Sequence, residues 1–580
     1  MGASLHRRRV LVISVIFLLF FVTALGRLFY LQIFKGSYYQ QVAGRQQKVN
    51  DVVLAERGNI YLKTLEKKIP LALTHTWDNV WVSPQEIDLE KKTEMVSNLA
   101  QLLGLDEAVV AERINKTGDP YEPLKDKTDK EVVLALGKFG YKGVHWKAFQ
   151  DRYYPLNNLA SQVIGFVGRS DSVGEITGTG RYGLEAYFNS ELKGESGYVA
   201  GVKKALGSLV LPLSRVVKPK KGQDIYLTLD YNIQLALEKE LKVASEKFYA
   251  EGASGIVLDP KTGAILAMAN MPNFDPNKYN EVKNVSEFLN PNVQLVFEPG
   301  SIFKPITMAA ALDVNAVSPD LKYFDAGEVM VDGFTIRNST REAWGEQTMS
   351  QVLEKSLNTG VIFALRRLPR GVWREYVDNF GFAEKTGITL AGEAKGDIRN
   401  LKSGVELDWL TSSFGQGLSV TPLAMTSAIA TIANGGELLK PYLIDKTIKT
   451  SEGQEYITHT SKRTVKRRVI KPATSETLTK MLLGVVENGS GRQARIPGYS
   501  VAGKTGTAQV AGPNGGYSEK TIHTFVGYSP AFNPAFVMLI KLDNPQGARF
   551  SEVTAAPVFK KVGEYILHYL GVRPDKALAK

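Results

Sequence analysis

The chain has no cysteine among its 580 residues, which excludes disulfides, a thiol nucleophile and thiolate metal sites. Its six histidines (His6, His75, His145, His459, His523, His568) are scattered and form no His-x-x-x-His pair, which argues against a zinc hydrolase. None stands out as the base of a serine triad, although one remote in sequence stays open. There is no internal repeat and no low-complexity tract. Neither a metal nor a cofactor is expected. An apolar fraction of 44% against 22% charged residues describes a globular chain with room for two or more domains. The net charge of +12 reads as membrane topology plus a basic surface, with cell-wall polymer or lipid headgroups as the second reading. Nucleic acid is not an expected partner.

The residue types that remain point to an alcohol nucleophile. In Glu298-Pro299-Gly300-Ser301-Ile302-Phe303-Lys304-Pro305 a turn enters an apolar helix that runs on through Leu312. Ser301 and Lys304, three apart, share one helical face, so a hydroxyl lies beside an amine. A serine needs a base, and lysine serves if its pKa falls from about 10.4 to roughly 7–8. That means destabilising the ammonium by about 4 kcal/mol, through burial or a second cation. Pro305 is tolerated in the first turn, and the helix N-terminus favours an oxyanion near Ser301.

One Ser-x-x-Lys is weak evidence, since Ser190 and Lys193 form another. The first is strengthened by two motifs that come after it in order along the chain: Ser356-Leu357-Asn358, then Gly503-Lys504-Thr505-Gly506-Thr507. Lys-Thr-Gly occurs four times, at Lys116, Lys261, Lys385 and Lys504. The first two precede Ser356. Lys261 reads as a hairpin turn between Ile256–Leu258 and Ala264–Met268, and Lys385 reads as a connection. Lys504 lies in a strand of small residues that a substrate backbone can approach closely, and it takes the catalytic assignment.

Along the chain, His6-Arg7-Arg8-Arg9 precedes the uncharged Val10–Gly26, and apolar character resumes from Leu28 to Phe34. Residues 1–9 are expected as a cytoplasmic tail and 10–34 as a single membrane anchor, with the rest outside. A cleaved signal peptide, cut near Ala24-Leu25-Gly26, is the rival reading. Residues 35–220 read as a non-catalytic docking module with amphipathic helices at Lys91–Gly104 and Asp106–Asn115. Lys218–Gly222 reads as a boundary, and 221–575 as the catalytic domain. There a strand Asp224–Leu229, a helix Tyr231–Tyr249 (Leu235, Leu237, Leu241 and Ala244 apolar), helical runs at Ser350–Leu368, Pro422–Asn434 and Ser475–Glu487, paired strands Thr524–Tyr528 and Ala535–Lys541, and a closing helix Ala556–Leu570 are expected. Hairpins at both ends with helices between predict an α+β fold, an antiparallel sheet flanked by helices. The basic run Lys462–Arg468 reads as a solvated strand face.

The ordered set Ser301-x-x-Lys304, Ser356-x-Asn358 and Lys504-Thr505-Gly506 resembles the signature of penicillin-binding proteins and class A β-lactamases. Over nearly its whole length the chain resembles a class B penicillin-binding protein, a cell-wall D,D-transpeptidase. Arg57-Gly58-Asn59-Ile60, Arg152-Tyr153-Tyr154-Pro155 and Gly183-Leu184-Glu185 to Gly194 are similar to the family's pedestal, which makes Ser190 and Lys193 structural. The Asp-Arg-Asn-Gly that often succeeds the first of these is replaced by Leu62-Lys63-Thr64-Leu65. Asn273–Asn277 and Phe414–Pro422 are similar to the transpeptidase domain, and Glu298-Pro299-Gly300-Ser301 resembles the division branch more than the elongation branch.

The resemblance implies that Ser301 is acylated by the D-Ala-D-Ala end of a donor stem peptide and that an amine on a neighbouring stem resolves the ester. It implies Lys304 as base, Lys504 as holder of the substrate carboxylate and depressor of the Lys304 pKa, and Ser356 and Asn358 as proton relay and amide contact. Backbone N–H groups of Ser301 and Thr507 would form the oxyanion hole, with Thr505 and Thr507 side chains on the carboxylate beside Gly506. It also implies β-lactams as acylating ligands and a SEDS-family glycan polymerase and other divisome proteins as partners. Two rivals stand beside it. A β-lactamase-like hydrolase lacks its water-directing glutamate, since Glu287-Phe288-Leu289-Asn290 precedes the nucleophile. A division scaffold or polymerase activator with a secondary active site can coexist with the enzyme.

Overall fold

In the computed structural model the described residues are 2–36, 38, 48–116, 118–168, 178–203, 209–512 and 516–577. Of the expected docking module, 37, 39–47, 117, 169–177 and 204–208 lie outside them, and so does Thr117 of the first Lys-Thr-Gly. The chain folds as two compact units, Met1–Glu56 with Gly194–Lys221, and Arg57–Lys193 with Gly222–Lys580.

In the first unit the apolar run forms a helix over Gly2–Phe29, continued by a π-helical turn at Tyr30–Phe34. Val10–Phe34 spans 25 residues at a mean hydropathy of 2.5 and is 0% buried. A helix of that length, apolar all round and uncovered, matches the thickness of a bilayer core. The remaining strands of this unit, Lys48–Val53, Gly197–Lys203 and Leu209–Val217, pair antiparallel.

The second unit carries two large sheets. One runs in the order Gln454–Thr460, Ile444–Ser451, Asp224–Asp230, Ile60–Lys63, Lys68–Val82, Glu122–Thr128, with Val144–Tyr153 also paired to Lys68–Val82. Asp224–Asp230 pairs parallel with Ile60–Lys63, and all seven of its residues are buried. Helices Lys92–Leu103 and Glu107–Ile114 match the amphipathic expectation. Gly104 closes the first in the left-handed region and Asp106 caps the second, accepting from the Ala108 N–H at 2.7 Å.

The other sheet is fully antiparallel, in the order Ile265–Met271, Gly252–Leu258, Phe536–Asp543, Tyr517–Ser529, Ala502–Ala511. Helices Tyr231–Lys247 and Ala555–Tyr569 pack on one face through Leu237, Leu241, Phe559 and Ile566. Each such side chain contributes about 1.5–3 kcal/mol of transfer free energy. The buried helices Lys304–Asp313 and Pro422–Ala433 and the largely buried Pro472–Glu487 belong to a second core, which takes in strand residues Val526, Val537 and Leu539. This is the expected α+β arrangement.

Of the apolar positions in the helix Tyr231–Lys247, Leu237, Leu241 and Ala244 turn inward together with Ile233, and Leu235 is 46% exposed, because the buried stripe keeps to the helical period. One expectation needs correction. The single helical run expected at Ser350–Leu368 is two helices, Met349–Glu354 and Asn358–Arg366. The break falls at Ser356, which sits at φ +58°. A non-glycine residue in that region is sparsely populated and typical of a functional site.

Candidate active site

Ser301 lies in a one-turn 3-10 segment, Gly300–Phe303, that leads directly into the helix Lys304–Asp313. Glycines bring this turn against its neighbours. Gly300 has φ +57°, and a Cβ there would lie 2.9 Å from the Ala508 Cβ. A Cβ on Gly415 would lie 2.4 Å from the Gly300 carbonyl oxygen, and the Gly300 N–H donates to the Gly415 carbonyl at 3.0 Å. On Gly506 it would meet the Thr524 Oγ1 at 2.3 Å and Ile302 at 2.9 Å. Three glycine-bearing segments, remote in sequence, thus close on one another with backbone in contact.

Ser301, Ser356, Ser490, Thr505 and Thr507 line one cleft of about 160 Å³, together with Asn338, Lys355 and Ser551. Lys304 and Lys504 are fully buried beside it, at 0% and 1% exposure. The Lys304 Nζ donates to the Ser356 carbonyl at 2.5 Å and lies 3.2 Å from the Ser356 Oγ. Burial, and after it the charge of Lys504, hold the Lys304 amine well below the ordinary lysine value. The Lys504 Nζ reaches the Thr505 carbonyl at 3.2 Å and the Thr505 Oγ1 at 3.4 Å, and burial pushes its pKa down to about 7. Neither lysine has a carboxylate partner among the described residues. Two buried amines, one of them bonded to a serine hydroxyl and depressed by the charge of the other, form a site suited to accept a proton.

Asn358 opens the helix Asn358–Arg366, two residues after Ser356. Its amide donates to the Arg337 carbonyl at 2.8 Å, and it is not among the described residues lining the cleft. Its backbone N–H donates to the Asn338 Oδ1 at 2.9 Å. Asn338 is held by the buried Asp325 carboxylate at 3.0 Å, and the Thr359 hydroxyl donates to the same carboxylate at 2.6 Å. This polar cluster fixes the wall that carries Ser339 and Thr340.

The other Ser-x-x-Lys behaves as expected: the Ser190 hydroxyl is spent on the adjacent Glu191 at 2.7 Å, on the exposed side of a short helix. Lys261 lies in the turn between paired strands, and Thr386, next to Lys385, bonds the Glu393 carboxylate.

Sequence reasoning missed Ser490, whose Oγ is 2.8 Å from the Thr505 Oγ1 and whose N–H donates to the Glu354 carbonyl at 3.0 Å. Its only local signal is the Gly489-Ser490-Gly491 triplet, in which a Gly489 Cβ would meet the Glu354 carbonyl oxygen at 2.3 Å. It also missed the segment Phe550–Glu552, tied to the cleft strand where the Ser551 N–H donates to the Thr507 Oγ1 at 3.1 Å.

With this geometry in hand, residues 253–564 match the penicillin-binding protein transpeptidase domain and residues 52–227 the penicillin-binding protein dimerisation domain. Stage V sporulation protein D of Bacillus subtilis is 33% identical over 98% of this chain and 87% of its own length. A probable peptidoglycan D,D-transpeptidase PbpC of Pseudomonas aeruginosa is 30% identical over 99% and 97%. Penicillin-binding protein 2X from Streptococcus thermophilus shares the fold at a TM-score of 0.77 and 23% identity, covering 90% of this chain and 81% of that one.

Proposed function

The chain belongs to the class B penicillin-binding proteins, the peptidoglycan D,D-transpeptidases, and from that premise we propose which of its residues perform the reaction and where. The observation that carries the assignment is the buried pair Lys304 and Lys504, with no carboxylate partner among the described residues, against the Ser301 cleft.

In this reading neutral Lys304 takes the Ser301 proton as the Oγ attacks the penultimate D-Ala carbonyl of a donor stem. Ser356, in contact with the Lys304 amine, carries the proton to the departing D-alanine amine. The N–H groups of Ser301 and Thr507 stabilise the oxyanion, a contribution of about 3–4 kcal/mol per donor in comparable sites. Lys504, Thr505 and Thr507 hold the terminal carboxylate, with Gly506 leaving room for the approach. When Lys504 is protonated, a carboxylate restores the counter-charge that burial denies it. Asn358 spends one amide hydrogen on Arg337 and keeps the other for the substrate amide. An acceptor amine then resolves the ester, and a β-lactam, which mimics D-Ala-D-Ala, leaves it blocked.

The division of labour we propose is a cytoplasmic tail (1–9), a single inner-membrane anchor (10–34), a partner-binding pedestal (35–220) and an extracytoplasmic transpeptidase domain (221–575). The apolar helix and the arginines before it support this topology. Septal work beside a SEDS-family glycan polymerase and other divisome proteins is the reading favoured by Glu298-Pro299-Gly300-Ser301. Kinship with a sporulation protein favours a second one, wall synthesis during sporulation.

The test is covalent labelling with a fluorescent penicillin. Wild type and Ser190→Ala should form a stable adduct and Ser301→Ala none, the loss of a serine nucleophile costing on the order of 10^6-fold in related chemistry. No adduct in wild type with the drug intact would favour a scaffold; no adduct with the drug consumed would favour a hydrolase.

A further inference from the structure

The cleft has two electrical poles, and the proposed reaction uses only one. Beside the cleft, behind Ser356 and Thr505, are the buried Lys304 and Lys504. At its rim is Glu552, half-buried and the one carboxylate among the described residues that line the cleft. The basic side chains nearby are otherwise engaged. The Lys355 Nζ donates to the Gln347 Oε1 at 2.7 Å and lies 4.1 Å from the Trp344 ring centroid. The Arg549 guanidinium lies over the Phe550 ring at 5.0 Å. The Glu552 carboxylate has no ion-pair or hydrogen-bond partner among the described residues.

Its backbone, by contrast, is pinned. The preceding Ser551 N–H donates to the Thr507 Oγ1 at 3.1 Å. Two residues on, the Thr554 Oγ1 is 3.0 Å from the Nδ1 of His523, whose own position is set by strand register opposite Thr507. The Ala556 N–H donates back to the Ser551 carbonyl at 3.2 Å. A free carboxylate held in place on the lining of a cleft that is backed by two buried lysines is a recognition element for a cation.

We propose that Glu552 receives the cationic side-chain amine of the acceptor stem peptide and so selects the second substrate. This deepens the transpeptidase reading and rests on it. The reaction admits the assignment without a further reagent. The acceptor arrives as an ammonium, drawn by Glu552, and gives one proton to solvent to become the free amine. That amine forms a bond to the acyl carbon, and the bond from that carbon to the Ser301 Oγ breaks. The proton displaced from nitrogen passes through Lys304 to the Ser301 Oγ. Glu552 is a positioning group for the amine, not the base.

The experiment measures partitioning by the full-length, detergent-solubilised protein on a thioester of an N-acyl-D-alanine. Two acceptors are compared, a peptide with a free lysine side chain and hydroxylamine, which is mostly uncharged at neutral pH. Glu552→Gln should raise the ratio of acceptor KM values, lysine peptide over hydroxylamine, about fivefold, the size of one partly exposed charge pair. Glu552→Lys should raise it further and Glu552→Asp should restore it towards wild type. Added salt should erode the wild-type preference and leave the Gln variant less affected. A ratio that is the same in wild type and Glu552→Gln, with penicillin adducts forming in both, overturns the proposal and leaves the acyl-enzyme reading standing. A wild type that forms neither adduct nor transfer product overturns the acyl-enzyme reading, and the acceptor assignment falls with it.

Discussion

Two clusters of fully buried charge lie in the same compact unit and are built on opposite rules. In one, the Glu185 carboxylate, 0% exposed, accepts from the Arg57 Nε at 2.8 Å and from the Arg152 Nε at 2.6 Å. The guanidinium groups bond further, Arg57 to the Asn189 Oδ1 at 3.0 Å and Arg152 to the Gly58 carbonyl at 2.8 Å. Burial would raise the Glu185 pKa, but the two arginines outweigh it and hold the carboxyl below its ordinary value. In the other cluster, Lys304 and Lys504 are buried with each other and with hydroxyls and carbonyls, and no carboxylate reaches them among the described residues. Opposite charges placed together lock three chain segments. Like charges placed together leave protons loosely held, which a structural site avoids and an acid–base site needs.

That contrast is broken most severely by Lys304→Met. Acylation by penicillin should fall about 10^2–10^4-fold, the usual contribution of a positioned base. Resistance to denaturant should be little changed or increased, because a buried amine kept from its charged form by desolvation is replaced by an apolar side chain; chemical denaturation beside labelling kinetics reads both. Glu185→Gln should do the reverse. It strands two guanidinium groups in the interior, so stability should fall by about 3–5 kcal/mol, while each folded molecule still labels with penicillin. If Glu185→Gln lost labelling without losing stability, the division into a locking and a reacting cluster would be wrong.

The mildest change sharpens the reacting cluster itself. The charge of Lys504 is the second cause lowering the Lys304 pKa, after burial. Lys504→Met removes it, so the Lys304 pKa should rise and the acid limb of the acylation rate, where the base becomes protonated, should move to higher pH. Substrate binding weakens too, so the position of the limb is the readout, not its height. A limb that stays in place would show that burial alone sets the base.

Much of this was legible in the chain. The Ser301–Lys304 spacing, the order of Ser356 and Lys504 after it, and the strands around Lys504 derive from local periodicity and turn chemistry. The helices Lys92–Leu103, Pro422–Ala433 and Ala555–Tyr569 lie close to where apolar spacing placed them. The break at Ser356 was not legible, because a helical pattern of side chains runs through it and only the backbone reports the left-handed residue. Nor was the role of Arg57, Arg152 and Glu185, which stand in three separate motifs, until the fold joined them through one carboxylate.

Residue type, short-range spacing and the order of motifs along the chain were therefore enough for the kind of chemistry, the α+β class and an apolar span, since each motif or element is written in groups that lie close together in sequence. Folding over long range decided that Ser490 and Glu552 share the Ser301 cleft and that burial drives both lysines below their ordinary pKa. Desolvation and Coulomb interactions depend on which atoms lie within a few ångströms, and in this cleft those atoms come from residues hundreds of positions apart.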